Sequence, residues 1–200
     1  MSQTSVMPEP REPFKLNVRG VIVTDEQFEL LCRENPELRF ELTAQKELVI
    51  MPPTGFETGR RNMRLGRHLD VWAETDGTGI AADSSTLFLL PNGAKRSPDA
   101  SWVRQERVNT LTKDQREGPL PLCPDFVLEL RSPTDRLADL HEKMQEYLDN
   151  GVHLGLLLDP FEKHVYVYRP GQPVETFDNP ETVSGDPVLP GFVLQVRELW

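Results

Sequence analysis

The chain has 200 residues, 27% of them charged and 38% hydrophobic, which suits one folded domain with a real core and excludes a disordered polymer. Its net charge of -10 excludes a surface that is basic overall and gathers nucleic acid non-specifically, while leaving room for a local basic groove. The longest apolar run is too short to span a bilayer, and the N-terminus lacks the apolar core of a secretion signal, so a cytoplasmic location and no membrane partner are expected.

Residues 1 to 15 hold several prolines and charges and read as a flexible tail; residues 16 to 200 read as a single domain. Val18 to Val23 reads as a short extended piece. Thr24-Asp25-Glu26-Gln27 has capping-box spacing and opens a helix that buries Phe28, Leu31 and Cys32, ended by Asn35-Pro36. Cys32 and Cys123 form no C-x-x-C pair, which argues for reduced thiols and against a structural zinc site. Leu38 to Thr43 and Glu47 to Met51 alternate as a hairpin around Ala44-Gln45-Lys46, with Glu41 on the face of Arg39 and Thr43.

A helix follows from about Glu57 to Thr75, with Met63, Leu65, Leu69 and Trp72 among its buried residues. Its first half carries Arg60, Arg61, Arg64, Arg67 and His68. That face is either solvated or a phosphate-contacting surface in an otherwise acidic chain. Ile80 to Ala82 and Thr86 to Leu90 read as strands, and Pro98 suits the start of a strand that sets Asp99, Ser101 and Val103 on one face. Val108 to Gly118 reads as a short helix in a surface excursion.

The stretch from Cys123 to Pro160 reads as strand, helix, strand, with a right-handed crossover onto a parallel neighbour. In the first strand Phe126, Leu128 and Leu130 share one face, and Val127, Glu129 and Arg131 the other. A buried Glu129 needs a partner, which is Arg131, a metal, or a cation from the following helix. That helix, from about Asp135 to Asn150, has Thr134 as its expected N-cap and Leu137, Leu140, Met144, Tyr147 and Leu148 as its apolar stripe. Lys143 borders the stripe and can reach what lies beside it; His141 lies off the stripe and is expected to be exposed. His164 to Arg169 reads as a strand, Val174 to Phe177 pairs back, and the C-terminal segment packs on the domain.

Asp99, Glu129, Arg131 and Lys143 form the chemical constellation. Two carboxylates on neighbouring strands suit Mg²⁺ or Mn²⁺, and a lysine nearby can steady developing charge. By spacing alone, a buried Glu129–Arg131 or Glu129–Lys143 ion pair accounts for the same residues.

Pro98-Asp99 followed by Glu129-Leu130-Arg131 and a helix resembles the PD-(D/E)XK nuclease pattern. Arg39-Phe40-Glu41-Leu42, Ser97-Pro98-Asp99, Pro124 to Pro133, Glu142 to Leu148, Leu158-Asp159-Pro160 and Leu189-Pro190-Gly191 resemble the Uma-type restriction endonuclease family, abundant in cyanobacteria. The resemblance implies an α/β fold with a restriction endonuclease-like core, a central mixed β-sheet flanked by helices. It implies a metal-dependent endonuclease acting on DNA with Mg²⁺ or Mn²⁺. Asp99 and Glu129 would be the metal ligands and Glu41 the supporting acid. The usual lysine position holds Arg131, which keeps its proton too firmly to act as a base but can pair with a phosphate. Lys143 would take the lysine's place from the helix. Arg131, Arg60, Arg61, Arg64 and Arg67 would be candidates for DNA-backbone contact. A homodimer follows from the resemblance, since two sites cut two strands. The rival readings are a nuclease-fold accessory protein without activity and a metal-dependent phosphoesterase acting on another substrate.

Overall fold

The computed structural model describes residues 14–17, 24–51 and 53–200. Its elements in chain order are β1 (Phe14–Asn17), α1 (Asp25–Glu34), β2 (Arg39–Leu42), β3 (Glu47–Met51), α2 (Phe56–Asp76), β4 (Gly79–Asp83), β5 (Phe88–Leu89), β6 (Lys95–Arg96) and β7 (Ala100–Arg104). Two short helices follow, α3 (Gln105–Val108) and α4 (Lys113–Glu117), then β8 (Phe126–Leu130), α5 (Leu137–Asp149), β9 (Leu154–Asp159), β10 (His164–Tyr168) and β11 (Glu175–Asp178). β12 (Thr182–Ser184), β13 (Val193–Gln195) and a 3-10 turn (Val196–Leu199) complete the described chain. The expected extended piece at Val18 to Val23 and most of the expected tail lie outside the described residues.

The apolar runs of β8 and β9 are buried along their whole length and form the centre of a sheet ordered β11-β10-β9-β8-β7-β4. β8 and β9 pair in parallel, Phe126 opposite Leu154, and α5 makes the connection; the other pairs of this sheet are antiparallel. A buried parallel pair needs apolar side chains on both faces, and these strands supply them. Phe126, Leu128 and Leu130 cluster with Leu65, Leu69 and Ala73 of α2 and with Leu189, Phe192, Leu194 and Leu199 of the C-terminal segment. Val127 faces the opposite side, with Met144 and Tyr147 of α5. The sheet is thus covered on both faces, and Glu129 lies on the α5 side by alternation.

A second sheet, ordered β1-β3-β2-β6-β5, carries Phe40, Leu42 and Leu48 against Phe28 of α1. The capping box of α1 forms as expected: Thr24 Oγ1 accepts from the Gln27 N–H, and Gln27 Oε1 from the Thr24 N–H. β1 and β6 were not foreseen, because each is short and is held by its partners rather than by a pattern of its own. β6 joins β2 through Leu42 opposite Lys95, and residues 97–99 then cross from this sheet to the central one.

Some expectations fail locally. Met63 is 78% exposed, since it lies on the α2 face turned away from the sheet. α5 starts at Leu137 with Arg136 at its N-cap and no side-chain cap bond; the Asp135 carboxylate instead accepts from the Ser132 N–H, so Thr134 is not the cap. Asp99 precedes β7 rather than lying within it. His141 is half-buried, with its Nδ1 hydrogen-bonded to the Tyr168 hydroxyl and its ring edge-on to Tyr166. No described helix is long and apolar enough to cross a membrane.

Candidate active site

β2 alternates so that Phe40 and Leu42 enter the α1 core while Glu41 turns to the other face, where it is only 2% exposed. A buried carboxylate needs several donors, and Glu41 has three. Its Oε1 accepts from the Ser97 N–H at 2.9 Å and from Lys143 Nζ at 2.8 Å, and its Oε2 from Arg96 Nη1 at 3.0 Å. Arg96 is held in turn by Glu146 Oε2, 2.6 Å from its Nε. Lys143, Glu146 and Tyr147 are spaced three and four apart on α5, so one helical face delivers all of them.

Glu129 projects from β8 beneath the same helix. Its Oε1 lies 2.7 Å from Lys143 Nζ and accepts from the Tyr147 hydroxyl at 3.1 Å. One step beyond the Ala100–Leu128 pair, the β7–β8 register brings Asp99 opposite Glu129. Asp99 Oδ2 accepts from the Leu130 N–H at 2.8 Å and Oδ1 from Asn62 Nδ2 of α2 at 2.8 Å. Strand ends from two sheets and faces of two helices thus converge.

Burial raises Glu129 to about 8, with the Asp99 and Glu41 carboxylates acting in the same direction and Lys143 against them. Glu41 goes the other way: burial works against its charge, but Lys143, Arg96 and the Ser97 N–H outweigh it and hold its carboxyl below the usual range. Burial opposes the charge on Lys143 too, and Glu129 and Glu41 overcome it, so its proton is held more firmly than usual. Burial pushes Asp99 up, opposed by the Leu130 N–H, Lys143 and Asn62.

These residues line a cleft of about 1460 Å³ between α2, the β2–β3 hairpin and α5. Among the described residues no three His, Cys, Asp or Glu side chains converge closely enough to cage a metal. Mg²⁺ does not require such a cage, because it keeps several waters and takes one or two carboxylates. The donors present fit that pattern: the register sets Asp99 across from Glu129, and the Asp99 and Glu41 charges, which add to the larger effect of burial on Glu129, would be offset by a cation.

The model of the Uma2 family, described as "Putative restriction endonuclease", matches residues 25–197. The chain belongs to this family. A solved structure described as "a putative nuclease belonging to DUF820", from Anabaena variabilis, shares the fold with a TM-score of 0.69 at 21% identity, over 80% of this chain and 88% of that one. No curated protein matches the sequence. The expected resemblance and the restriction endonuclease-like fold, a mixed sheet flanked by helices, are thereby met.

In this Uma2-family chain Glu41, Asp99, Glu129 and Lys143 come together. The other expected residues are spread more widely. Arg131 turns from Glu129 to Asp159, with its Nη1 2.7 Å from Asp159 Oδ2 and its guanidinium 5.4 Å from the centre of the Phe161 ring. Arg60 pairs with Glu57 at 3.0 Å. Arg61 Nε donates to the Leu199 carbonyl at 2.6 Å and Arg64 Nη1 to the Glu198 carbonyl at 2.7 Å, so these arginines fasten α2 to the C-terminal segment. Arg67, one turn on from Met63, lines the cleft. Asn62, Arg96, Glu146 and Tyr147 were not singled out by sequence as members of the site. The spacing of Lys143, Glu146 and Tyr147 on one helical face was the available signal for the last two.

Proposed function

We propose that this chain is a divalent-metal-dependent endonuclease acting on DNA, with Asp99 and Glu129 holding Mg²⁺ or Mn²⁺, Lys143 as the assisting cation and Glu41 as its anchor. The observation that carries this reading is the position of Lys143 Nζ, 2.8 Å from Glu41 Oε1 and 2.7 Å from Glu129 Oε1: the helix delivers the lysine that Arg131 cannot replace. A divalent ion at the two carboxylates would acidify bound water and neutralise charge on a phosphate. Lys143 keeps its proton, so it serves as a donor to the negative charge that develops on the phosphate rather than as a base. Glu41, held ionised by Arg96 and Ser97, fixes the ammonium in place. The Tyr147 hydroxyl orients the Glu129 carboxylate. Arg131 and Arg67 are the candidate contacts to the DNA backbone.

The test is plasmid and single-stranded DNA cleavage with Mg²⁺ or Mn²⁺, wild type beside Asp99→Ala and Lys143→Ala. Cleavage that vanishes in Asp99→Ala and falls by about 10²- to 10³-fold in Lys143→Ala is the expected result. A folded wild type that neither cuts DNA nor binds Mn²⁺ supports the accessory-protein reading instead. That rival draws on the cleft walls, where Glu37, Glu47, Glu142 and Asp149 add to the acids already named.

A further inference from the structure

Asn62 lies on α2, at the wall of the cleft facing Asp99. Its Nδ2 donates to Asp99 Oδ1 at 2.8 Å. Its Oδ1 is buried and has no hydrogen-bond partner among the described residues. Buried carbonyl oxygens are ordinarily satisfied, so an orphan beside a carboxylate calls for an explanation. The other orphaned atoms among the described residues, the Trp102 and Trp200 ring N–H groups and Asp125 Oδ1, belong to residues that do not line the cleft. The amide cannot reverse to satisfy its oxygen, since that would turn a carbonyl toward the Asp99 carboxylate.

We infer that Asn62 is a positioning residue with a double function: its amide N–H fixes the Asp99 carboxylate, and its carbonyl oxygen accepts a hydrogen bond from a water held by the metal. This rests on the two-carboxylate metal site proposed above. A hydrated divalent ion brings several strongly polarised waters whose protons need acceptors. An amide oxygen provides one without adding another negative charge beside Asp99, Glu129 and Glu41. α2 is suited to the task because Arg61 and Arg64 tie it to the Leu199 and Glu198 carbonyls, which keeps the amide in register with Asp99. Partners of this kind typically change metal affinity by about 10- to 100-fold.

The experiment is calorimetric titration of Mn²⁺ into the full chain, wild type beside Asn62→Ala, with the metal-free unfolding midpoint of each as a folding check. The substitution removes the donor and the acceptor together and adds no charge to the site. Asn62→Ala is expected to bind about 10- to 100-fold more weakly at a nearly unchanged midpoint. If the wild type binds Mn²⁺ but Asn62→Ala binds equally well, the inference falls and the two-carboxylate site stands. If the wild type binds no Mn²⁺, both fall. Should the alanine variant fail to fold, Asn62→Leu, which has a similar shape, takes its place in the same comparison.

Discussion

Glu41 and Glu129 share one ammonium but differ in what else surrounds them. Glu41 has Arg96 and the Ser97 N–H as further donors, whereas Glu129 has the Tyr147 hydroxyl. Removing Glu41 leaves Lys143 and Arg96 buried with too little negative charge. Glu41→Ala should therefore cost about 3 to 5 kcal/mol in urea unfolding, as expected when one member of a buried ion network is lost. Glu129→Gln, which keeps an acceptor for Tyr147, should cost clearly less in the same measurement. His141 sets a pH dependence of its own. Burial lowers it below its ordinary value, and neutral Nδ1 can accept from the Tyr168 hydroxyl. The unfolded chain then binds a proton that the folded chain resists, so stability is present above about pH 6.5 and is lost as pH falls. His141→Gln should flatten that acid-side loss in thermal unfolding between about pH 7 and pH 5. The four residues that meet in the cleft were legible because their motifs carry them. Asn62 was not, since an asparagine within an arginine-rich helix gives no local sign of a carboxylate partner on a distant strand.

At the scale of the elements, α2 and α5 follow from their apolar spacing, and β8 from its alternation. Two glycines show where packing sets the limits. A Cβ added at Gly79, the first residue of β4, would lie 2.4 Å from Trp102 Cε2 and 2.4 Å from the Val103 carbonyl oxygen. Neither the indole nor the backbone can retreat cheaply, so Gly79→Ala should lose about 3 kcal/mol in denaturant unfolding. A Cβ at Gly66 meets nothing within 4 Å, inside α2. Gly66→Ala should gain about 0.5 to 1 kcal/mol, since it removes backbone freedom from the unfolded chain at a helical position. What the sequence hid at this scale were β1 and β6, whose few residues become strands only because β3 and β2 offer them ladders. Long-range pairing of this kind leaves no period to read.

At the scale of the whole molecule, a net charge of -10 sits uneasily with the polyanionic substrate proposed above. The arginines of α2 divide accordingly. Arg61 and Arg64 are occupied by C-terminal carbonyls, and Arg60 by Glu57, whereas Arg67 lines the cleft. If DNA lies there, Arg67→Ala should lower the slope of log affinity against log salt by about 0.9, the share of one phosphate contact. Arg61→Ala should leave that slope unchanged and lower the unfolding midpoint instead. Binding isotherms over a salt series, with melts alongside, separate the two.

Lys143 clasps Glu41 of one sheet and Glu129 of the other, and Asp99 lies on the short crossing between the sheets. The same ion pairs therefore serve as a rivet for the architecture. If the chain cuts DNA as proposed, a lineage that lost the activity would still be held to Glu41, Arg96 and Lys143 by the need to fold, and those positions would persist in its descendants. Among the described residues the Asn62 side chain makes one hydrogen bond, to Asp99, and should drift first. Among relatives, the loss of that asparagine would mark such copies sooner than the loss of Glu41, Arg96 or Lys143.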